Sequence, residues 1–201
     1  MTNDPPHPLP GAAQPGAETL ESAHQAAAFW HWSVDFYARD GVAKALLGLQ
    51  NKLGANVNIA LWCLWCAPQR LSETDVNAAT ESVAHYNQNV TSALRSAREH
   101  LKHAAANLPG DAGELRESIL ALELTSERIE QRLILATIAI DKTDTVSSKV
   151  SPDEREDHLE FTATDNLKTY LEPLGEDGPS RTVQYLARAV VDYAASLKQP
   201  H

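Results

Sequence analysis

The 201-residue sequence has little cysteine, few basic residues and no long apolar run, and each shortage argues against a class of protein. Cys63 and Cys66 are the only cysteines, so a disulfide framework is excluded and a reducing compartment is expected. The most apolar stretch, residues 57–67, is far shorter than the roughly 20 residues that span a bilayer. Lys and Arg total 17 against 27 Asp and Glu, and the net charge of -10 disfavours nucleic acid and anionic membranes as partners.

Catalytic and targeting signatures are also missing from the sequence. It contains no glycine-rich phosphate loop, no G-x-S-x-G turn and no H-E-x-x-H helix motif. The first residues lack the basic and apolar regions of a secretory signal, which favours a cytoplasmic location. We therefore predict no catalytic residue, no metal site and no cofactor.

Helical periodicity is the main feature that the sequence does contain. Apolar residues recur at helical spacing from Glu18 onward and no segment alternates in the manner of a strand, so the fold class is predicted as all-α. Asp40 and Asn56 are predicted N-caps, and Gly54 is a predicted left-handed C-cap. Three N-terminal helices are expected over residues 18–39, 42–53 and 57–67.

Two longer helices are predicted to form an antiparallel hairpin, the scaffold of a helical bundle. The first begins at Ser72, and its apolar positions move by one residue after Ala93, which is interpreted as the ordinary drift of a straight helix. A Pro-Gly turn over residues 108–113 connects it to the second. The second carries an apolar stripe at helical spacing, which consists of Leu115, Ile119, Leu122, Ile129, Leu133, Ala136 and Ile140.

Composition divides the chain into three predicted segments. Residues 1–16 hold five prolines and are expected to be a disordered tail, and residues 17–140 form the helical bundle domain. Residues 141–201 are predicted to be an acidic linker and a helical C-terminal extension, with Ser151 as the N-cap of its first helix.

The C-x-x-C formed by Cys63 and Cys66 is weighed as a redox or zinc site. Both cysteines lie in the C-terminal half of a short predicted helix, where the helix dipole raises a thiol pKa. A zinc site would also need two further ligands, and the chain has no second cysteine pair. Packing of two small buried side chains is therefore favoured.

Charged residues on the long helices offer two further interpretations. Glu123, Glu127 and Glu130 alternate with Arg128 and Arg132 at helical spacing, which predicts a solvated face with ion pairs. A metal-dependent enzyme is the least favoured hypothesis, and its candidate residues are Glu81, His85, Glu99 and His103.

The tryptophans are concentrated in two short segments. Trp30, Trp32, Trp62 and Trp65 could line a ligand pocket between helices or form part of an ordinary core, and core packing is the commoner outcome. Asn58 lies in the same apolar segment as the last two. Together these five residues are the predicted binding site for an apolar or aromatic small molecule.

The first helices carry a specific pattern that resembles an uncharacterised family of small bacterial conserved hypothetical proteins. The pattern reads F-W-x-x-S…G-V…L-x-L-Q…V-N…C-L-W and is carried here by Phe29, Trp30, Ser33, Gly41, Val42, Leu49, Gln50, Val57, Asn58, Cys63, Leu64 and Trp65. Glu123, Glu127, Glu130 and Gln131 are similar to the family's second half. Asn56 stands where the family has Asp, which keeps N-capping and removes a charge. The resemblance spans about residues 29–140 and implies a cytoplasmic helical domain, without an activity to carry over.

These observations lead to a preferred function and one alternative. The preferred hypothesis is a non-enzymatic cytoplasmic interaction or regulatory protein, which binds a protein partner or a second copy of itself. The alternative is a helical bundle that binds a small molecule at the tryptophans. Neither nucleic acid nor a membrane is an expected partner.

Overall fold

A computed structural model describes residues 19–104, 110–137, 151–176, 178 and 180–197 of the chain. These residues form helices and no strand, which confirms the all-α class. The helices are α1 (Leu20–Tyr37), α2 (Val42–Leu53), α3 (Val57–Trp65), α4 (Glu73–Tyr86), α5 (Ser92–Ala104), α6 (Ala112–Thr137), α7 (Pro152–Leu171) and α8 (Arg181–Ser196). The predicted tail over residues 1–16, the start of the predicted Pro-Gly turn and the linker over residues 142–149 lie outside the described residues.

Most of the predicted caps are present. Gly54 ends α2 with φ of 71°, and the side chain of Asn56 accepts hydrogen bonds from the first backbone N–H groups of α3. Ser72 and Ser151 each form a capping box at the start of α4 and α7. The predicted Asp40 cap is wrong, because Gly41 occupies the N-cap of α2 without a side-chain hydrogen bond.

A π-helical turn over Asn87–Thr91 joins α4 to α5. A π turn inserts one extra residue into a helix, so the inward face advances by one position. Val76, Ala79 and Val83 are the buried residues of α4, and the spacing of seven from Val76 to Val83 would place the next inward residue at Val90. The buried residue is instead Thr91, one position later. The shift in the sequence pattern thus reflects this turn rather than the gradual drift of a straight helix.

The core is built around α3, of which seven residues are buried. Helices α1, α2, α4, α6, α7 and α8 all contact it. Leu167 and Leu171 of α7 and Leu186 of α8 belong to the same core cluster as Trp62 and Leu64 of α3. The C-terminal helices therefore share one core with the N-terminal ones.

Asn166 of α7 anchors the connection between α3 and α4. Its side-chain amide donates hydrogen bonds to the backbone carbonyls of Cys63, Cys66 and Gln69, and its carbonyl oxygen accepts one from the backbone N–H of Leu71. Asn166 is completely buried. One side chain of the C-terminal segment thus satisfies backbone groups at the end of the central helix.

Helix α6 turns a polar face toward the interior and much of its apolar stripe toward solvent. Glu123, Ser126, Glu130, Gln131 and Ile134 are its buried residues. The exposed fractions of Leu115, Leu122 and Ile129 are 52%, 56% and 39%. The expectation that the glutamates form a solvated face is therefore wrong for Glu123 and Glu130.

Candidate functional site

A buried carboxylate, that of Glu130 on α6, is the centre of a polar cluster between α3, the π turn and α6. Its Oε2 accepts hydrogen bonds from Nδ2 of Asn56 at 2.9 Å and Nδ2 of Asn58 at 3.0 Å. Its Oε1 accepts one from Nδ2 of Asn87 at 2.8 Å. We call Asn56, Asn58, Asn87, Glu130 and Gln131 the Glu130 cluster.

The Glu130 cluster extends to α1 and α7. Gln131 Nε2 donates to Oδ1 of Asn58 at 3.1 Å and to Oγ of Ser33 at 3.2 Å. The backbone N–H of Asn56 donates to the hydroxyl of Tyr170 at 2.6 Å. Burial raises the pKa of this tyrosine, so it stays protonated at neutral pH. Helix α1, helix α3 and the π turn are thus held to α6 by directional bonds, and α7 is joined to the same cluster through Asn56.

A second cluster, centred on Arg95, lies between α5, α6 and α2. Arg95 donates from Nε to Glu123 Oε1 at 2.9 Å, from Nη2 to Glu127 Oε1 at 3.0 Å and from Nη1 to Gln50 Oε1 at 3.0 Å. Arg98 donates to Glu123 Oε2 at 2.6 Å. We call Gln50, Arg95, Arg98, Glu123 and Glu127 the Arg95 cluster.

The two glutamates of the Arg95 cluster differ in how many arginines they pair with. Glu123 is engaged by both guanidinium groups, and its hydrogen bond raises the pKa of Arg98. Burial raises the pKa of Glu127, and the neighbouring carboxylates Glu123 and Glu130 add to this while Arg95 opposes it. Ionisation of Glu127 is therefore less favourable in the folded chain than in a solvated glutamate.

The bonding pattern of both clusters is that of structural polar groups. Each carboxylate oxygen of Glu123 and Glu130 accepts a hydrogen bond from a side chain on another element. Buried polar groups that are bonded in this way fix how helices pack, because a shifted helix would leave them unsatisfied. We interpret the clusters as the device that sets the rotation of α6 about its axis.

The residues considered for metal or redox chemistry have separate environments. Glu99 pairs with Arg98, Lys102 and His103 on α5, whereas Glu81 and His85 are exposed on α4. In the part of the chain that the structure describes, no group of three His, Cys, Asp or Glu side chains could hold a metal ion.

Cys63 and Cys66 are free thiols buried in the core. Burial raises the pKa of each thiol, which disfavours the reactive thiolate. This environment agrees with the packing role that the sequence favoured for the pair.

The five predicted ligand-binding residues occupy three different environments. Trp62 is fully buried in the core, and Trp32 and Trp65 pack against the core in stacks with Phe36 and Phe29. Asn58 belongs to the Glu130 cluster. Trp30 lies apart from the core, with the guanidinium of Arg128 4.4 Å from the centre of its ring.

A cleft of about 210 Å³ between α1 and α6 includes Trp30. Its other lining residues are His31 and three alanines of α1, and Arg128, Gln131 and Arg132 of α6. Of the five predicted residues, Trp30 alone lines this cleft. Arg128 and Arg132 were not predicted as binding residues, because their spacing on α6 is that of an ordinary solvated face, and no local motif marks Gln131.

Comparison with known proteins gives a family without a described activity. A family model described as a protein of unknown function (DUF2390) matches residues 28–134. Every residue of the Arg95 cluster and of the Glu130 cluster lies within this segment. No curated protein and no solved structure matches the chain. Among the described helices, none is long and apolar enough to cross a membrane.

Proposed function

This chain belongs to the DUF2390 family of proteins of unknown function, and we propose from its own surface that it is a non-enzymatic cytoplasmic interaction protein. The observation that carries the proposal is the outer stripe of α6, which we define as Leu115, Leu122 and Ile129. All three side chains are exposed. A row of large apolar residues on the outside of a helix is typical of a face that packs against another helix.

The two polar clusters keep the outer stripe on the surface. Rotation of α6 to bury Leu122 would expose Glu123 and Glu130 and break their bonds to Arg95 and Asn58. Such a rotation would leave buried amide and guanidinium groups without partners, which costs more than burial of one leucine returns. The stripe is therefore covered most favourably by another molecule.

We infer that the occupant of the outer stripe is α6 of a second copy. Its residues are spaced seven apart, with Leu122 at the midpoint between Leu115 and Ile129. A two-fold axis at Leu122 brings each Leu115 against Ile129 of the other copy when the helices are antiparallel. Seven-residue apolar spacing is the pattern by which paired helices pack, and the same face on both copies gives a closed dimer.

Charge on the edge of the stripe supports the antiparallel arrangement. Glu114 and Arg132 are both exposed and lie eighteen residues apart, about five helical turns, so they occupy the same edge of α6. With the two-fold axis at Leu122, Ala112 of one copy lies opposite Arg132 of the other, and Glu114 lies two positions, about 3 Å, further along the same edge. Two complementary pairs of this kind favour the antiparallel register, because in a parallel two-fold pair the same edge of each helix lies on opposite sides of the contact and these pairs cannot form.

Two further observations support the absence of catalysis and the cytoplasmic location in this proposal. The carboxylates of Glu123 and Glu130 are engaged in bonds that hold helices together rather than directed at a cleft. Cys63 and Cys66 are free thiols, as is usual in a reducing compartment.

Sedimentation equilibrium of the full chain tests the proposal. The wild type is expected to dimerise, and Leu122→Glu is expected to be monomeric at the same concentration, because it buries two carboxylates at the axis. Leu124→Glu is the matched control, since Leu124 is also exposed but lies on the other side of α6. A monomeric wild type, or equal dimerisation of both variants and wild type, would contradict the proposal.

A charge exchange tests the register independently of the apolar contacts. Glu114→Arg and Arg132→Glu are each expected to weaken the dimer, because each sets like charges opposite one another. The double variant Glu114→Arg, Arg132→Glu is expected to restore it, since the pairs reform with exchanged signs. Failure of the double variant to recover dimerisation would contradict the antiparallel register.

A further inference from the structure

Phe161 of α7 is exposed to solvent, unlike the other two phenylalanines of the chain. Its exposed fraction is 65%, whereas Phe29 and Phe36 are fully buried in the core. Burial of an exposed ring against a partner is favourable, because it removes a large apolar surface from water. Aromatic side chains are accordingly enriched at the centres of protein interfaces. Phe161 is therefore a candidate anchor for a partner.

The side chains around Phe161 are mostly acidic. Glu154 and Asp157 lie seven and four residues before Phe161, and Asp165 lies four residues after it, so all of them share its side of α7. Glu154 and Asp157 are exposed, and Asp165 is partly exposed. Over residues 154–172, six acidic residues stand against two basic ones. We call Glu154, Asp157, Phe161 and Asp165 the acidic face of α7.

A cleft of about 560 Å³ between the end of α7 and the start of α4 continues the acidic face of α7. Its charged lining residues are Arg70, Glu73, Asp165 and Glu172. Arg70 pairs with Asp165, and Lys168 pairs with Glu172, so the positive charges here already have carboxylate partners. Asp165 lies about 6 Å along the helix axis from Phe161. One short segment can therefore reach both the ring of Phe161 and the cleft.

We propose that the acidic face of α7 and the adjoining cleft bind a basic protein segment that carries an apolar side chain. The apolar side chain packs on Phe161, and a lysine or arginine one turn away enters the cleft, where Glu73 and Glu172 are its carboxylate partners. Charge complementarity selects this class of partner, because an acidic surface attracts a basic segment and repels nucleic acid and anionic membranes. This site goes beyond the dimer through the outer stripe of α6 and does not depend on it, because it lies on other helices.

Isothermal titration of the full chain with three synthetic peptides tests the site. The peptide KKLKKLKK carries lysines and leucines, KKSKKSKK lacks the apolar side chains, and EELEELEE has the opposite charge. We expect saturable binding of KKLKKLKK, about tenfold weaker binding of KKSKKSKK, which loses the contact with Phe161, and no measurable binding of EELEELEE, which is repelled. Equal affinity for the two lysine peptides, or no saturable binding of KKLKKLKK, would overturn the proposal.

Apolar variants locate the leucines of the peptide on the protein. Phe161→Ala is expected to weaken KKLKKLKK binding by about tenfold. Leu20→Ala is the matched control, since Leu20 is an exposed apolar residue of α1, and this variant should bind with the affinity of the wild type. Leu122→Ala should also keep the affinity of the wild type. Unchanged affinity in Phe161→Ala, or a loss in Leu122→Ala that places the peptide on the outer stripe of α6, would contradict the assignment.

Charge variants test the cleft separately. The double variant Glu73→Gln, Glu172→Gln is expected to weaken KKLKKLKK binding by about tenfold and to make it less sensitive to salt. The double variant Glu81→Gln, Glu117→Gln is the matched control, because it removes two exposed carboxylates elsewhere on the protein. It should bind with nearly the affinity of the wild type. Equal losses in the two double variants would indicate attraction by net charge alone and would refute the site.

Discussion

The side-chain amide of Asn58 on α3 donates a hydrogen bond of 3.0 Å to the carboxylate of Glu130 on α6, across 72 residues of sequence. Asn56 and Asn87 bind the same carboxylate, so one side chain of α6 joins the start of α3 to the π turn. A carboxylate surrounded by neutral amides is stabilised by hydrogen bonds rather than by an ion pair. The position of α6 therefore depends on this contact set together with the bonds of Arg95 and Arg98 to Glu123.

Removal of the Glu130 carboxylate should be strongly destabilising. Glu130→Ala leaves three amide groups without their acceptor, so we expect the free energy of unfolding to fall by about 3 kcal/mol or more. Glu130→Gln should cost less, because the amide keeps one acceptor oxygen but sets an N–H₂ group against other donors. Urea denaturation measures both. Glu117→Ala, at an exposed glutamate of the same helix, should change stability by less than about 0.5 kcal/mol, and equal effects at both positions would contradict the role of Glu130.

The pH dependence of stability should report the environment of Glu127. Its pKa is raised above the usual 4.5, so the folded chain holds this proton more tightly than the unfolded chain. The contribution of Glu127 to the free energy of unfolding is therefore fully present below about pH 4.5, and it is lost as the pH rises through the pKa of the folded chain. Glu127→Gln removes this loss and should flatten the fall in the free energy of unfolding above pH 4.5. Urea denaturation at several pH values tests this, and parallel profiles for wild type and variant would refute it.

Gly41 should tolerate a side chain less well than Gly54. Both have left-handed φ angles, 74° and 71°, so alanine at either position should cost about 1 to 2 kcal/mol. A Cβ at Gly41 would also meet the hydroxyl of Tyr185, which donates to the carbonyl of Asp40, whereas Gly54 has open space. Thermal or urea denaturation should show that Gly41→Ala is the worse variant. In a Tyr185→Phe background, the stability losses caused by Gly41→Ala and Gly54→Ala should become more similar. An unchanged gap between the two losses would exclude the Tyr185 hydroxyl as its cause.

Local signals in the sequence predicted the helices and most of their ends. Gly54, Asn56, Ser72 and Ser151 act on backbone groups within four residues, so their effect is visible in a short window. Asp40 was a wrong choice of cap because the turn before α2 needs a left-handed residue, and Gly41 supplies it. The start of that helix was nevertheless predicted correctly.

The inward face of α6 could not be predicted in the same way. Apolar residues are expected inside, and Glu123 and Glu130 become acceptable there only because Arg95, Arg98 and Asn58 on other helices satisfy them. Those partners are distant in sequence, and the π turn that aligns α5 with α6 is marked in the sequence only by a one-residue shift of the apolar pattern, which a straight helix also produces by drift. The candidate cleft was missed for the same reason, apart from Trp30, since its arginines look like ordinary surface charges.

Disulfide trapping at Leu122 is the most direct test of the central claim, that the outer stripe of α6 pairs with a second copy. Leu122 lies at the proposed two-fold axis, so Leu122→Cys places two thiols within disulfide reach, while the native Cys63 and Cys66 are buried. Mild oxidation should convert most of this variant to a dimer that reductant reverses, whereas Leu124→Cys should remain monomeric. A Leu122→Cys protein that stays monomeric under oxidation, or that is trapped no more than Leu124→Cys, would contradict the account.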